Sequence, residues 1–404
     1  MGNGIRLGSI AGIAIHLDWS LAIIFLLITS GLALGLFPAW HPDWSPALAW
    51  ATAFAAAVLF FASVLAHELS HAIVGRAQGM TIRRITLFVF GGMAHLEHEP
   101  HRWRAELAMA IVGPITSLAI GIGALLAAGL LIGPVELDLD EPGRFLARLG
   151  VAATLLVWIG QVNIILAVFN LVPGFPLDGG RVLRALLWGA TGDLRRATRW
   201  ASGAGQGFAW LLIGLGVAMA LGIRVPVFGV GLVNGLWLMF IGWFLNNAAL
   251  ASYRQLLVRD ALENVPVARL MRKQFAGVPP DLPVSELVEA HILRSDQRAF
   301  PVEENGRMIG VVCLADVRRL ARERWPETAV REIMTPADRL ASVRPEDDGL
   351  EALSLLGAKG VNQLPVVAAG RLAGFVLRED ILKWLALYGD PELGLGPDAS
   401  QRAR

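Results

Sequence analysis

Residues 51–71 read ATAFAAAVLFFASVLAHELSH. The run Ala51–Ala66 carries no charge, and it leads directly into His67-Glu68-Leu69-Ser70-His71. It belongs to a longer apolar stretch, 48–74, and about 20 apolar residues suffice to cross the hydrocarbon core as a helix. On such a helix, positions i and i+4 share a face, so both imidazoles can reach one ion while Glu68 lies beside it. Glu and two His at the end of an uncharged helix are costly in a bilayer unless something binds them. The plainer alternative is a polar helix end at the interface, with the histidines hydrogen-bonded or wet.

The whole chain fits a membrane setting for that helix. Of 404 residues, 55% are hydrophobic and 17% charged, with mean hydropathy +0.55. This excludes a disordered tail protein and is too apolar for an ordinary soluble enzyme. The net charge of +1 makes no basic field, so no nucleic-acid partner is expected. Cys313 is the one cysteine, so an intrachain disulfide and a thiolate metal site are both excluded and any metal must take His and carboxylate ligands. Residues 1–250 hold 14 Arg, no Lys and 12 acids, whereas 251–404 hold 21 basic and 22 acidic residues. The first part reads as a membrane domain and the second as soluble.

Six spans are expected: 18–38, 48–74, 105–132, 148–171, 203–223 and 228–249. The loop after the second has Arg76, Arg83, Arg84, Arg102 and Arg104, and the loop after the fourth has Arg181, Arg184, Arg195, Arg196 and Arg199. The 39–47 connection has no basic residue, and 133–147 is acidic with only Arg144. Arginine bias therefore sets the N-terminus, the C-terminus and everything beyond 250 on the cytoplasmic side of a multi-pass cell-membrane protein. The first long apolar run lacks a basic n-region and an A-x-A-like end, so no cleavable signal peptide is expected. Ile5–Leu17, short of charge and punctuated by Gly, suggests a strand leading into the first span.

A third metal ligand should come from elsewhere in the membrane domain. In 167–183, AVFNLVPGFPLDGGRVL, the apolar run breaks at Pro173 and Pro176, presents Asp178 and turns at Gly179-Gly180. Such a break frees backbone groups that cannot face lipid, so it must be buried in protein or line a polar cavity. Alone, Asp178 is as good an N-cap as a ligand; beside H-E-x-x-H, the ligand reading is preferred. Zinc suits two imidazoles and a carboxylate with a fourth position open to water, whose pKa falls to roughly 7, and Glu68 could take its proton during attack on a carbonyl. Glu97, Glu99 and Glu106 are poorer candidates by position. A His95-x-x-His98-x-x-His101 series invites a second metal, but a solvated loop is the preferred reading.

His67-Glu68-Leu69-Ser70-His71 with Asn170-Leu-Val-Pro-Gly-Phe-Pro-Leu-Asp178-Gly-Gly resembles the site-2 protease family of intramembrane zinc metalloproteases, over about residues 5–200. The resemblance implies His67, His71 and Asp178 as ligands of one zinc per chain and Glu68 as general base. It also implies a role for Asn170 in holding substrate or the developing oxyanion. Asn163, seven residues earlier, either shares that work or makes an interhelical hydrogen bond. Thr81–Ala94, β-rich and ending in Gly91-Gly92, resembles the family's membrane-associated hairpin, whose edge would pair with the backbone of an unwound substrate; a hairpin that merely plugs the bundle is the alternative. Gly113-Pro114 would let helices approach closely.

The soluble part contains a repeat, FPVEENGRMIGVVCLADVRRL (300–320) and LPVVAAGRLAGFVLREDILKWL (364–385). Their skeleton is x-P-V-x-x-x-G-R-x-x-G-x-V-x-x-x-D with one extra residue allowed in the first turn. Helix patterns at 283–294 and 348–358 precede the copies, and similar turns open each unit at 268–273 and 331–336. The repeat resembles a tandem CBS pair, which implies an adenine nucleotide between the units with Asp316 and Asp380 as contacts. Cys313 and Leu377 stand where hydroxyls are usual, which leaves a ligand-free dimerisation or docking module equally open.

The expected fold is an α-helical polytopic membrane domain of about six transmembrane helices with a membrane-associated β-hairpin (1–250), then an α/β cytoplasmic tandem CBS domain. Its units are 251–325 and 326–388, followed by a flexible tail at 389–404. The expected function is zinc-dependent endoproteolysis of transmembrane segments, modulated by the CBS pair. By the resemblance, partners are membrane lipid, a second copy through the CBS domains, and substrates such as anti-sigma factors, membrane-bound transcription factors or signal-peptide remnants. The competing classes are a CBS-regulated transporter and a non-catalytic scaffold.

Overall fold

Among the residues described by the computed structural model (4–89, 91–96, 100, 102–133, 146–226 and 229–390), six helices are long and apolar enough to cross a membrane. These are α1 (Ser20–Trp40), α2 (Pro46–Ala77), α3 (Trp103–Ile132), α4 (Val151–Asn170), α6 (Leu194–Ala220) and α7 (Leu232–Leu262). The amphipathic α5 (Asp178–Thr191) lies between α4 and α6. The chain divides into two compact units between Tyr253 and Arg254, inside α7.

Several helices overrun the spans expected from hydropathy. α6 begins at Leu194 rather than 203, and α7 runs to Leu262 rather than 249. Charge ends an apolar stretch, but it does not end a helix. At the start of α6 the Asp193 side chain caps the Arg196 N–H at 3.0 Å, so the arginine-bearing turn is helical already.

α2 shows how the site helix is placed. Ser45 caps it, its Oγ accepting the Leu48 N–H at 3.3 Å, with Pro46 in the first turn. Its buried stripe runs through Ala49, Ala53, Ala56, Val64, His67, His71 and Gly75. Small residues on that stripe let neighbouring helices approach, and the same face carries the two histidines inward.

The expected hairpin at Thr81–Ala94 is half of a larger element. β1 (Ile5–Ile10), β2 (Ile13–Leu17), β3 (Ile82–Phe88) and β4 (Gly91–Leu96) form a four-stranded sheet in the order β1-β2-β3-β4. β2 and β3 pair in parallel, from Ala14↔Arg84 to Leu17↔Leu87, and the outer pairs are antiparallel. Ile13, Ile82, Ile85 and Leu87 pack with Val64 and Ala72 of α2 and Met109 of α3, so the sheet is seated on the helix that carries the histidines.

In the second unit, β5 (Ala299–Glu304) pairs with β6 (Arg307–Cys313), which also pairs with β7 (Thr335–Pro336). β8 (Gln363–Ala368) pairs with β9 (Arg371–Leu377). No extra residue separates the two copies. Asn305-Gly306 and Ala369-Gly370 are equivalent two-residue turns with positive φ (53°, 73° and 48°, 75°), the handedness that matches strand twist. Both hairpins bulge at the same place, after Val302 and after Val366. The repeat helices cover 284–292 and Gly349–Lys359. Residues 391–404 of the expected tail lie outside the described residues.

Candidate metal centre

The two strongest sequence signals, 111 and 107 positions apart, meet inside the first unit. His67 and His71 sit one turn apart on α2, at 4% and 9% exposure. Asp178, the first residue of α5, approaches both: its Oδ2 lies 3.1 Å from His67 Nε2 and 3.2 Å from His71 Nε2. The two Nε2 atoms are 3.1 Å apart. Leu177 occupies the N-cap position of α5, so the Asp178 carboxylate faces the imidazoles instead of capping its own helix.

The hydrogen bonds at the far side of each ring fix what this cluster can do. His71 Nδ1 is 2.6 Å from the Met109 carbonyl oxygen, which can only accept, so Nδ1 carries the hydrogen. Nε2 of the neutral ring then presents a lone pair. His67 Nδ1 is 2.8 Å from Ser117 Oγ, with Ser117 wholly buried. With the Ser117 hydroxyl accepting from His67 Nδ1, both Nε2 atoms and the Asp178 carboxylate are acceptors, and three acceptors directed at one another repel unless a cation or proton lies between them. Tetrahedral ligands at about 2.0–2.1 Å from zinc stand about 3.3 Å apart, close to the 3.1–3.2 Å separations found. Room for the ion comes from α3: a Cβ on Gly113 would fall 2.1 Å from His71 Nε2 and 2.7 Å from His67 Nε2. The donor set and the cradle both fit zinc.

Glu68 follows His67 on the same helix, half-buried, under β4. A Cβ on Gly92 would lie 2.2 Å from Glu68 Cγ and 3.1 Å from its Oε1, so only glycine lets the strand come this close. Gly91, with φ 121°, opens that strand. Asn170 ends α4, half-buried. Asn163 is fully buried, and its Nδ2 donates to Ile159 O of its own helix at 2.9 Å instead of reaching across to another. Its Oδ1 has no hydrogen-bond partner among the described residues.

Of the other sequence candidates, Glu97, Glu99, His98, His101 and the His95 side chain lie outside the described residues. Glu106 is only 1% exposed and is engaged by Arg184. Arg184 is therefore a buried helix residue, not the loop charge expected, because α5 continues through it. In the second unit, Asp316 accepts the Cys313 N–H at 2.9 Å and the thiol at 2.9 Å. Burial, and next the Asp316 carboxylate, push that thiol's pKa up. Asp380 takes two 2.7 Å hydrogen bonds from Arg272, which also contacts Glu379.

Sequence reasoning missed Ser117, Met109 and the Glu106–Arg184 pair. A serine in an apolar span is the one local hint for Ser117; a backbone carbonyl gives none.

Known proteins are similar over nearly the full length. The model of peptidase family M50 matches residues 55–136 and 131–213, and that of the CBS domain matches 267–323 and 330–387. The provisionally named zinc metalloprotease sll0528 of Synechocystis sp. is 33% identical over 389 residues, covering 95% of this chain and 96% of that protein. Rip3 of Mycobacterium tuberculosis, also provisionally named a zinc metalloprotease, is 32% identical over 394 residues, 96% of this chain and 94% of that one. Among solved structures, the site-2 protease from Methanocaldococcus jannaschii shares 28% identity, with 62% of this chain and 95% of that chain covered and a TM-score of 0.41. With six apolar helices among the described residues and paired CBS domains, the chain belongs to peptidase family M50, the site-2 proteases, as a multi-pass intramembrane zinc metalloendopeptidase.

Proposed function

We propose that His67, His71 and Asp178 hold one zinc ion per chain and that Glu68 is the general base for hydrolysis of peptide bonds in substrate transmembrane segments. The observation that carries this reading is the convergence of two imidazole Nε2 atoms and one carboxylate oxygen within 3.2 Å of one another beside the space left by Gly113. Zinc in such a site polarises the scissile carbonyl and activates water at neutral pH. The chain's own residues do the rest. Ser117 and the Met109 carbonyl keep both rings turned with Nε2 inward. Glu68 takes a proton at its carboxylate and returns it to the departing amine.

A helical segment shields its peptide bonds, so the substrate must be held extended. β4 is an edge strand lying against Glu68, and strand addition there would bring a backbone to the site. Gly91 and Gly92 keep that approach open. Asn170, at the end of α4, is assigned to the substrate or oxyanion; Asn163, one helical face earlier and buried with its Nδ2 on Ile159 O, is the second candidate for that work. Substrates are membrane proteins of the kind this family cuts, such as anti-sigma factors, membrane-bound transcription factors or signal-peptide remnants.

Arginine-rich even-numbered loops support a cytoplasmic position for both termini and the CBS pair. The CBS pair modulates access from that side and offers a surface for pairing with a second copy. An adenine nucleotide at Asp380 would first have to displace Arg272, and at Asp316 it would compete with the Cys313 N–H.

The test compares wild type with Glu68→Gln on a model transmembrane substrate, assaying zinc in both. Cleavage should fall by about 10²–10⁴-fold with zinc content unchanged. A Glu68→Gln chain cutting at the wild-type rate would refute the assignment.

A further inference from the structure

Helix α3 contributes to the centre at regular intervals. Glu106, Met109, Gly113 and Ser117 recur at the spacing of one helical face. Met109 and Ser117 touch the imidazoles, and Gly113 makes their space. Glu106 pairs instead with Arg184 of α5. It is 1% exposed, and its Oε1 accepts from Arg184 Nε at 2.6 Å and also from Arg184 Nη2. Arg184 is itself 4% exposed, and its guanidinium lies 5.2 Å from the centre of the Phe175 ring.

Asp178 stands between the two elements that Arg184 joins. Phe175 is in the loop before it, and Arg184 is on the helix after it. One guanidinium thus ties both flanks of Asp178 to α3. Further along α5 the packing on α3 is close: a Cβ on Gly189 would fall 2.8 Å from the Trp103 ring. A buried ion pair is seldom more stabilising than an apolar pair of the same volume, so fold stability alone does not account for placing two charges here.

We infer that Glu106 and Arg184 are positioning residues, whose buried pair sets the height and rotation of α5 so that the Asp178 carboxylate reaches both imidazoles. This rests on the metal-centre reading above. Because the pair acts through Asp178, its loss should appear first in metal affinity.

The experiment measures zinc affinity of the full chain by competition with a chromophoric chelator, alongside Tm, for wild type, Arg184→Met, Arg184→Lys and the double variant Glu106→Leu/Arg184→Met. The double variant removes both charges, so it keeps the question open to test if Arg184→Met alone fails to fold. Zinc affinity is expected to fall about 10–100-fold in the double variant, with Tm near wild type. Arg184→Lys, which keeps the charge but loses the two-pronged contact, should recover part of the affinity. A double variant with wild-type Tm and wild-type zinc affinity would overturn the proposal, since the pair would then serve the fold alone. A wild-type chain that takes up no zinc would sink the metal-centre reading, and this inference with it.

Discussion

A methyl group at position 113 would occupy the space in front of both Nε2 atoms, 2.1 Å from the nearer. Gly113→Ala should therefore lower zinc affinity by at least about 100-fold, the upper range of outer-shell effects, while far-UV circular dichroism is unchanged. Ser117→Ala removes the partner of His67 Nδ1 and should cost about 10–100-fold, with Ser117→Thr restoring much of it. Titration against a competing chelator reads both. Unaltered affinity in Gly113→Ala would place the ion elsewhere. The residues that bear the chemistry were the most legible part of the chain, since the His67–His71 pair depends only on one helix's own periodicity. The residues supporting them were not, because Ser117 and Met109 reach the imidazoles across a helix interface whose register no local pattern sets.

Among the elements, β4 lies closest against Glu68 through Gly92. Gly92→Ala forces either the strand or the Glu68 side chain to move, because its Cβ would fall 2.2 Å from Glu68 Cγ. Proteolysis should drop at least about tenfold, the loss expected when a general base leaves hydrogen-bond reach, while zinc stoichiometry stays at the wild-type value. Parallel loss of zinc would show that the strand supports the metal and not the base. The same element marks a limit of sequence reading. Thr81–Ala94 reads as β-rich and ending in Gly91-Gly92, but the parallel pairing of its strand with Ala14–Leu17 joins segments separated by an entire helical hairpin. Helix ends were also misjudged where hydropathy stopped short of the helix, at Leu194 and Leu262.

For the whole molecule, the repeat was legible because each copy carries its own turn and strand pattern, and the two hairpins match residue for residue. What the second unit does to the first is a question of rates. Removing residues 255–404 should change the cleavage rate of a membrane substrate by several-fold, on the order of an allosteric coupling of 1–3 kcal/mol; equal rates with and without the unit would argue against modulation. The account depends most on Asp178 joining two imidazoles around one ion. Its most direct test is metal analysis of the purified full-length chain: wild type and Glu68→Gln should each carry one zinc per chain, and Asp178→Ala should carry almost none after dialysis against a mild chelator. Stoichiometric zinc retained by Asp178→Ala with wild-type affinity would contradict it.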